Sequence, residues 1–149
     1  MAINYSITHK KCEILTKGND VTIIAIGNQV SKAMSIFYKL KQAKINATVI
    51  NARFLKPIDN YNYIHSIKNT KFVVTIEDNT LVGGLASSIN ELIAKKHLKD
   101  VTIRNFGYPD VFVEHGSVDD LEKKYGLDEE SILKSIKNEV EFRRRKREI

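Results

Sequence analysis

The residues able to do chemistry are few, and their spacing limits what they can do. Glu77 and Asp78 are adjacent acids directly after the apolar run Phe72-Val73-Val74-Thr75-Ile76. Acids at the carboxyl end of a strand can act as general acid and base or hold a cation, because ligands of open α/β sheets gather at that edge. Neighbouring side chains on an extended chain point to opposite faces, so the two acids are not expected to converge on one substrate. The expected roles are local: Asp78 and Asn79 bond loop backbone, and Glu77, just past the strand, pairs with a base such as Arg53. His115 lies in the turn Glu114-His115-Gly116-Ser117. A histidine there could donate to a phosphate or shuttle a proton. No nucleophile or orienting acid is placed beside it, so a bond to its own loop or to a neighbouring subunit is expected.

Other candidates are weaker. Gly83-Gly84 precedes a helical segment whose N-terminal amides could hold an anion. The alternative is that two glycines let the loop turn sharply and pack against the sheet. Neither G-x-G-x-x-G nor G-x-x-x-x-G-K-[ST] occurs. The four histidines and the single Cys12 lack zinc-site spacing. Cys12 has no activating base nearby in the chain and is expected to be inert. The cluster Arg143-Arg144-Arg145-Lys146-Arg147 could touch nucleic acid or an acidic partner. It has no interleaved aromatics beyond Phe142, so nucleic acid is not expected and a solvated tail is.

Those residues are positioned by a regular alternation of elements. Four short β-branched runs read as strands: 21–26, 47–50, 72–76 and 101–106. They are nearly continuous rather than alternating, which suits strands buried on both faces of a parallel sheet. Val30, Ala33, Met34, Phe37 and Leu40 recur at helical spacing behind Asn28, a candidate cap. A second stripe runs through Leu85, Ala86, Ile89, Leu92 and Ile93, and a shorter helix is expected over 59–68 after Pro57. Gly107 and Pro109 mark a loop. Ser117 with Asp120 suggests a capping box, Gly126 a helix stop, and Asp128 the cap of a last helix carrying Ile132, Leu133, Ile136 and Val140. Lys11–Leu15 is a candidate edge strand. Strands alternating with helices predict an α/β fold, a three-layer α/β/α sandwich with right-handed crossovers.

Composition bounds the rest. The 149 residues are 42% hydrophobic and fit one domain with a real core. No apolar run approaches a membrane span of about 20 residues. The N-terminus shows no secretory pattern, and one cysteine fits a reducing compartment, so the cytoplasm is the expected location. The net charge is +6, of which residues 143–148 supply +4, so the basic balance is concentrated at one end. The expected organisation is an N-terminal extension over 1–11, one domain over 12–142 and a basic tail over 143–149.

Two segments carry a family resemblance: Asn51-Ala52-Arg53-Phe54-Leu55-Lys56-Pro57-Ile58-Asp59, and Gly107-Tyr108-Pro109-Asp110-Val111-Phe112-Val113-Glu114-His115-Gly116-Ser117. Thr75-Ile76-Glu77-Asp78-Asn79 and Gly83-Gly84 lie between them. In this order they resemble the C-terminal domain of transketolase-type thiamine diphosphate enzymes, and most of all the 1-deoxy-D-xylulose-5-phosphate synthase family. The run from Pro109 to Gly116 favours that family over transketolase itself or the pyruvate dehydrogenase beta-subunit. The resemblance implies a five-stranded mixed, mostly parallel sheet with one antiparallel strand. It implies a homodimeric parent enzyme that uses thiamine diphosphate and magnesium to condense pyruvate with glyceraldehyde 3-phosphate, releasing carbon dioxide. The product feeds isoprenoid, thiamine and pyridoxal synthesis.

In such enzymes the diphosphate and metal are held by a motif beginning Gly-Asp-Gly and ending Asn-Asn in an earlier domain. Neither signature occurs here. The resemblance therefore implies no catalytic, cofactor-binding or metal-binding residue on this chain, which alone is expected to be inactive. It implies structural or interface roles for Arg53, Lys56, Pro57, Glu77, Gly83, Gly84, Asp110 and His115, facing the thiamine diphosphate-binding domains of the same enzyme. A reading from another class is a free-standing module that binds an anion at the Gly83-Gly84 helix end, or an acidic partner through the basic tail.

Overall fold

The computed structural model describes residues 10–149; most of the expected N-terminal extension, with His9, lies outside the described residues. Among the described residues there are five strands and five helices, alternating from β2 to α4. They are β1 (Glu13–Thr16), β2 (Val21–Ala25), α1 (Gln29–Gln42), β3 (Ala47–Asn51), α2 (Asn60–Thr70), β4 (Phe72–Thr80), α3 (Leu85–Lys95), β5 (Thr102–Tyr108), α4 (Val118–Tyr125) and α5 (Glu129–Arg147). The sheet order is β1-β3-β2-β4-β5. β2, β3, β4 and β5 run parallel, and β1 is antiparallel on the β3 edge. The sandwich and the mixed sheet are thus as expected from the sequence.

The central strands explain their own composition. Val21, Ile23 and Ala25 face one layer of helices, where they pack with Ala33, Ile36 and Leu40 of α1 and Ile132, Ile136 and Val140 of α5. Ile24 faces the other layer, with Ile50, Val73, Tyr63 and Ile67 of α2, and Leu85 and Ile89 of α3. A strand covered on both sides has no polar face, so β2 is apolar at nearly every position. Its exception, Thr22, is wholly buried and its hydroxyl is satisfied by Thr70 Oγ1 at 2.8 Å.

Helix ends follow local chemistry in four cases. Asp59 caps α2 by accepting from Asn62 N–H, and Ser117 caps α4 by accepting from Asp120 N–H. Asp128 caps α5 through Ser131 N–H, and Gly126 ends α4 in the left-handed region at φ +69°. Asn28 is different. It makes no capping bond to α1; its amide donates instead to Asp78 Oδ2 at 3.0 Å, tying the β2–α1 turn to β4.

Three expected boundaries move. β4 continues to Thr80, because Thr80 still pairs with Tyr108 beyond an irregularity after Ile76. Glu77 and Asp78 are therefore inside the strand rather than past it. β5 likewise continues to Tyr108, which puts Gly107 in a strand and not in a loop. The basic cluster is helical rather than a separate tail, although 144–149 are exposed. Helix α5 runs through Arg147, Arg143 donates to Thr70 O, and Arg144 donates to Lys44 O.

Because Ile136 seals α5 onto both α1 and the sheet, Ile136→Ala is expected to lower stability by about 2–5 kcal/mol, with the urea midpoint falling at unchanged slope. A loss under about 0.5 kcal/mol would show that α5 is not part of the cooperative core.

Candidate functional site

Glu77 is the side chain that organises the carboxyl edge of the sheet. It is only 3% exposed, yet it carries a carboxylate. Its oxygens accept from the backbone N–H groups of Leu85 at 2.9 Å and Ala86 at 2.8 Å, the first two residues of α3. A helix start leaves its first N–H groups without internal partners and carries partial positive charge. Glu77 supplies both the acceptors and the negative charge from the neighbouring strand. Burial pushes its carboxyl above the ordinary value, and the two amides pull it back.

Glycine makes room for this contact. A Cβ on Gly84 would lie 1.9 Å from Glu77 Oε1 and 2.8 Å from Thr80 O. A Cβ on Gly107 would lie 3.0 Å from Glu77 Cγ and 2.7 Å from Leu81 Cδ2. Gly84 has φ −92°, so space and not backbone freedom demands glycine there. Gly83 is the reverse case: φ is +77° and nothing stands within 4 Å of its would-be Cβ. The turn is closed by Ser87, whose hydroxyl accepts from Gly83 N–H and donates to Leu81 O.

The expected Glu77–Arg53 pair is not formed. Arg53 follows β3 and bonds Glu13 Oε2 on β1 at 3.1 Å. Its left-handed backbone, φ +56°, is held by its N–H donating to Asn51 Oδ1 at 3.1 Å. β2 stands between β3 and β4, so Arg53 meets the edge strand and Glu77 meets the helix that follows its own strand. Asp78 bonds the Asn28 side chain rather than loop backbone, whereas Asn79 Oδ1 does accept from Thr80 N–H.

The remaining candidates sit at the same edge without converging. Lys56 and Pro57, joined by a cis peptide bond, are exposed after β3. Asp110 and His115 are exposed after β5. The ends of β3 and β5 are three strand spacings apart, about 14 Å. The loop that follows β5 is pinned to α4 by Glu114, which pairs with Lys124 and accepts from Tyr125 Oη at 3.0 Å. Those bonds hold the Glu114 carboxyl well below its usual range, at about 2. Around this pin apolar groups face solvent: Val111 and Phe112 of the loop and Val118 at the start of α4 are exposed, as is Val82 after β4. Cys12 is held by Asp59 and by burial in its unreactive thiol form, with its pKa pushed up to about 12.

Among the described residues, no group of three or more His, Cys, Asp or Glu could hold a metal ion. The helix end suited to a diphosphate is filled by Glu77, which also removes the anion site considered at Gly83-Gly84. The described residues of this edge therefore do not fit the diphosphate of thiamine diphosphate or its magnesium, and no chemical step is derived through them.

This geometry is a packed edge rimmed by exposed apolar groups. The profile of the family described as "Transketolase, C-terminal domain" matches residues 10–132. The chain belongs to that family. It is 39% identical over 135 residues to the 1-deoxy-D-xylulose-5-phosphate synthase of Desulforudis audaxviator, covering 91% of this chain and 21% of that protein. Against the synthase of Clostridium tetani the identity is 40% over 126 residues, 85% of this chain and 20% of that protein. The chain thus spans about a fifth of the length of these relatives. Among solved structures, it superposes with TM-score 0.82 and 29% identity on a protein described as "Split gene transketolase, inactive beta4 tetramer", covering 93% of this chain and 45% of that one. A transketolase from Pichia stipitis shares the fold at TM-score 0.62 and 18% identity, over 89% of this chain and 18% of that one.

Glu77, Gly83 and Gly84, singled out from the sequence, do come together. Gly107 also packs against Glu77, a contact not expected from the sequence. The available signal was a lone glycine among strand residues, which often marks close backbone approach.

Gly84→Ala is expected to cost about 1–3 kcal/mol, because its methyl group must displace the Glu77 carboxylate. Combining it with Glu77→Ala should cost clearly less than the sum of the two single changes. Strict additivity in denaturant unfolding would show that the two residues do not share one space. The Glu114 pin is expected to hold above the ordinary carboxyl value of 4.5 and to be lost as pH falls through about 2. Hydrogen exchange of residues 109–117 should rise over that acid range, and in Glu114→Gln it should be high throughout.

Proposed function

We propose that the chain serves as the C-terminal domain of a thiamine diphosphate-dependent 1-deoxy-D-xylulose-5-phosphate synthase. The parent reaction joins pyruvate to glyceraldehyde 3-phosphate with loss of carbon dioxide. The observation that carries this reading is the 39% identity sustained over 91% of the chain, not over one motif alone. In this reading the cofactor and magnesium belong to other domains, the enzyme is a cytoplasmic homodimer, and this domain braces it. No helix among the described residues is long and apolar enough to cross a membrane.

Arg53, Lys56, Pro57, Asp110 and His115 are the surface through which it does so, with Glu77, Gly83 and Gly84 as the support beneath. Two facts favour this edge. All eight residues lie at the carboxyl ends of the parallel strands or in the loops that follow. The same loops expose Val82, Val111 and Phe112, with Val118 exposed at the start of α4, and exposed apolar groups gathered at one edge mark a contact surface.

A chimera tests the reading. Replacing the corresponding C-terminal fifth of the Clostridium tetani synthase with this chain is expected to keep product formation within about tenfold, since the whole contact surface is carried over. The truncated synthase without it should be inactive, as should the isolated chain. A chimera no better than the truncation would overturn the proposal. Phe112→Asp in the chimera should weaken domain association by about 1–3 kcal/mol, read as lost activity, with the unfolding midpoint of the isolated chain unchanged.

A further inference from the structure

The opposite edge of the sheet carries a feature that this function does not use. Val140, Arg143, Arg144 and Arg147 are spaced three, four and seven apart, so they share one face of α5. With Asp20 they line a niche of about 10 Å³, roughly the room taken by one water-sized group. The Arg143 guanidinium lies over the Phe72 ring, 5.8 Å from its centroid, and its Nη2 donates to Thr70 O at 3.3 Å. Its Nη1 is buried and has no hydrogen-bond partner. Buried polar groups are almost always satisfied, and an orphan nitrogen on a cation calls for a missing acceptor.

The charge balance points the same way. Three arginines and one carboxylate, Asp20, line the niche. Asp20 is already engaged, accepting from Asn46 N–H at 2.7 Å and meeting Arg144 Nη2 at 3.4 Å. Arg144 also donates to Lys44 O at 3.0 Å. No side-chain hydrogen bond or ion pair of Arg147 is found among the described residues. Arg143 and Arg147 are like charges one helical turn apart, an arrangement that repels unless an anion lies between them. Burial first, then the charge of Arg147, lower the Arg143 pKa, and the opposing charges of Glu139 and Asp20 only partly offset them.

We propose that this niche is a binding site for a small tetrahedral oxyanion of the phosphate class. One oxygen enters the niche as the acceptor for Arg143 Nη1, and the others lie outside it between Arg144 and Arg147. Guanidinium groups suit such a ligand because their planar forks match the spacing of its oxygens. The site is independent of the synthase reading, since it stands at the amino ends of β2, β3 and β4, across the sheet from the contact edge.

Calorimetric titration of the full 149-residue chain with inorganic phosphate, at fixed ionic strength in chloride, tests this. Saturable one-to-one binding is expected, with sulfate competing for the same site. Arg147→Gln removes one charge-assisted partner at an exposed position, and should weaken binding about tenfold or more. Arg145→Gln removes the same charge from a different face of the helix and should change affinity less than about twofold. Circular dichroism should show both variants folded as the parent is. No saturable binding above chloride would overturn the proposal and leave the niche to a water molecule. Equal weakening by Arg145→Gln and Arg147→Gln would overturn it too, by reducing the effect to net charge.

Discussion

A buried carboxylate against the start of a helix is the constraint on which the carboxyl edge of this domain depends. Glu77 stands on β4 and completes the amides of α3, the helix that packs over that same strand. The contact ties the start of α3 into the layer it shares with α2, where Leu85 and Ile89 pack with Ile24 and Val73. An acid so deeply buried would be costly if its oxygens were unpaired. Two backbone donors and the positive end of the helix offset that cost. The arrangement also dictates the neighbourhood: no side chain fits at Gly84 or Gly107, because the carboxylate and the strand behind it already fill the space.

Seen from this contact, the edge that looks catalytic is spoken for. The adjacent acids Glu77 and Asp78 point to different jobs, one inward to a helix and one outward to Asn28. The helix end that could cradle a phosphate is plugged from within. What remains available to a partner is the rim: the β3 loop with Arg53, Lys56 and Pro57, and the β5 loop with its exposed Phe112. Such a rim suits docking onto another domain, and the family to which the chain belongs is itself a domain family. The two edges also differ in charge. Asp78, Asp110, Asp119 and Asp120 are exposed at the carboxyl edge, while Arg144, Arg145 and Arg147 are exposed at the end of α5. The basic pI of the chain is therefore a property of one pole.

Much of this was legible in the chain itself. Continuous β-branched runs announced doubly covered strands because a residue buried on either face must be apolar. Ser117, Gly126 and Asp128 announced helix ends because capping acts over three or four residues. The order of the two motif segments with Glu77 and Gly83-Gly84 announced the family. Local rules failed where a distant partner competed. Asn28 has the residue type of a cap, yet Asp78 on β4 takes its amide. Gly107 has the residue type of a loop, yet pairing of β5 with β4 carries the strand through it. The last basic residues look like a solvated run, yet Phe72, Thr70 and Lys44 give Arg143 and Arg144 somewhere to bind.

The sequence by itself determined the kinds of element, their order, the two-sided core and the family, since each rests on patterns within about ten residues or on the succession of such patterns. The tertiary structure alone decided which residue meets which. The strand order β1-β3-β2-β4-β5 puts Glu13 beside Arg53, leaves Glu77 to α3, and brings the end of α5 back to the start of β2. Ion pairs and buried hydrogen bonds act over a few ångströms, and chain positions forty or a hundred residues apart come within that range only once the sheet has assembled.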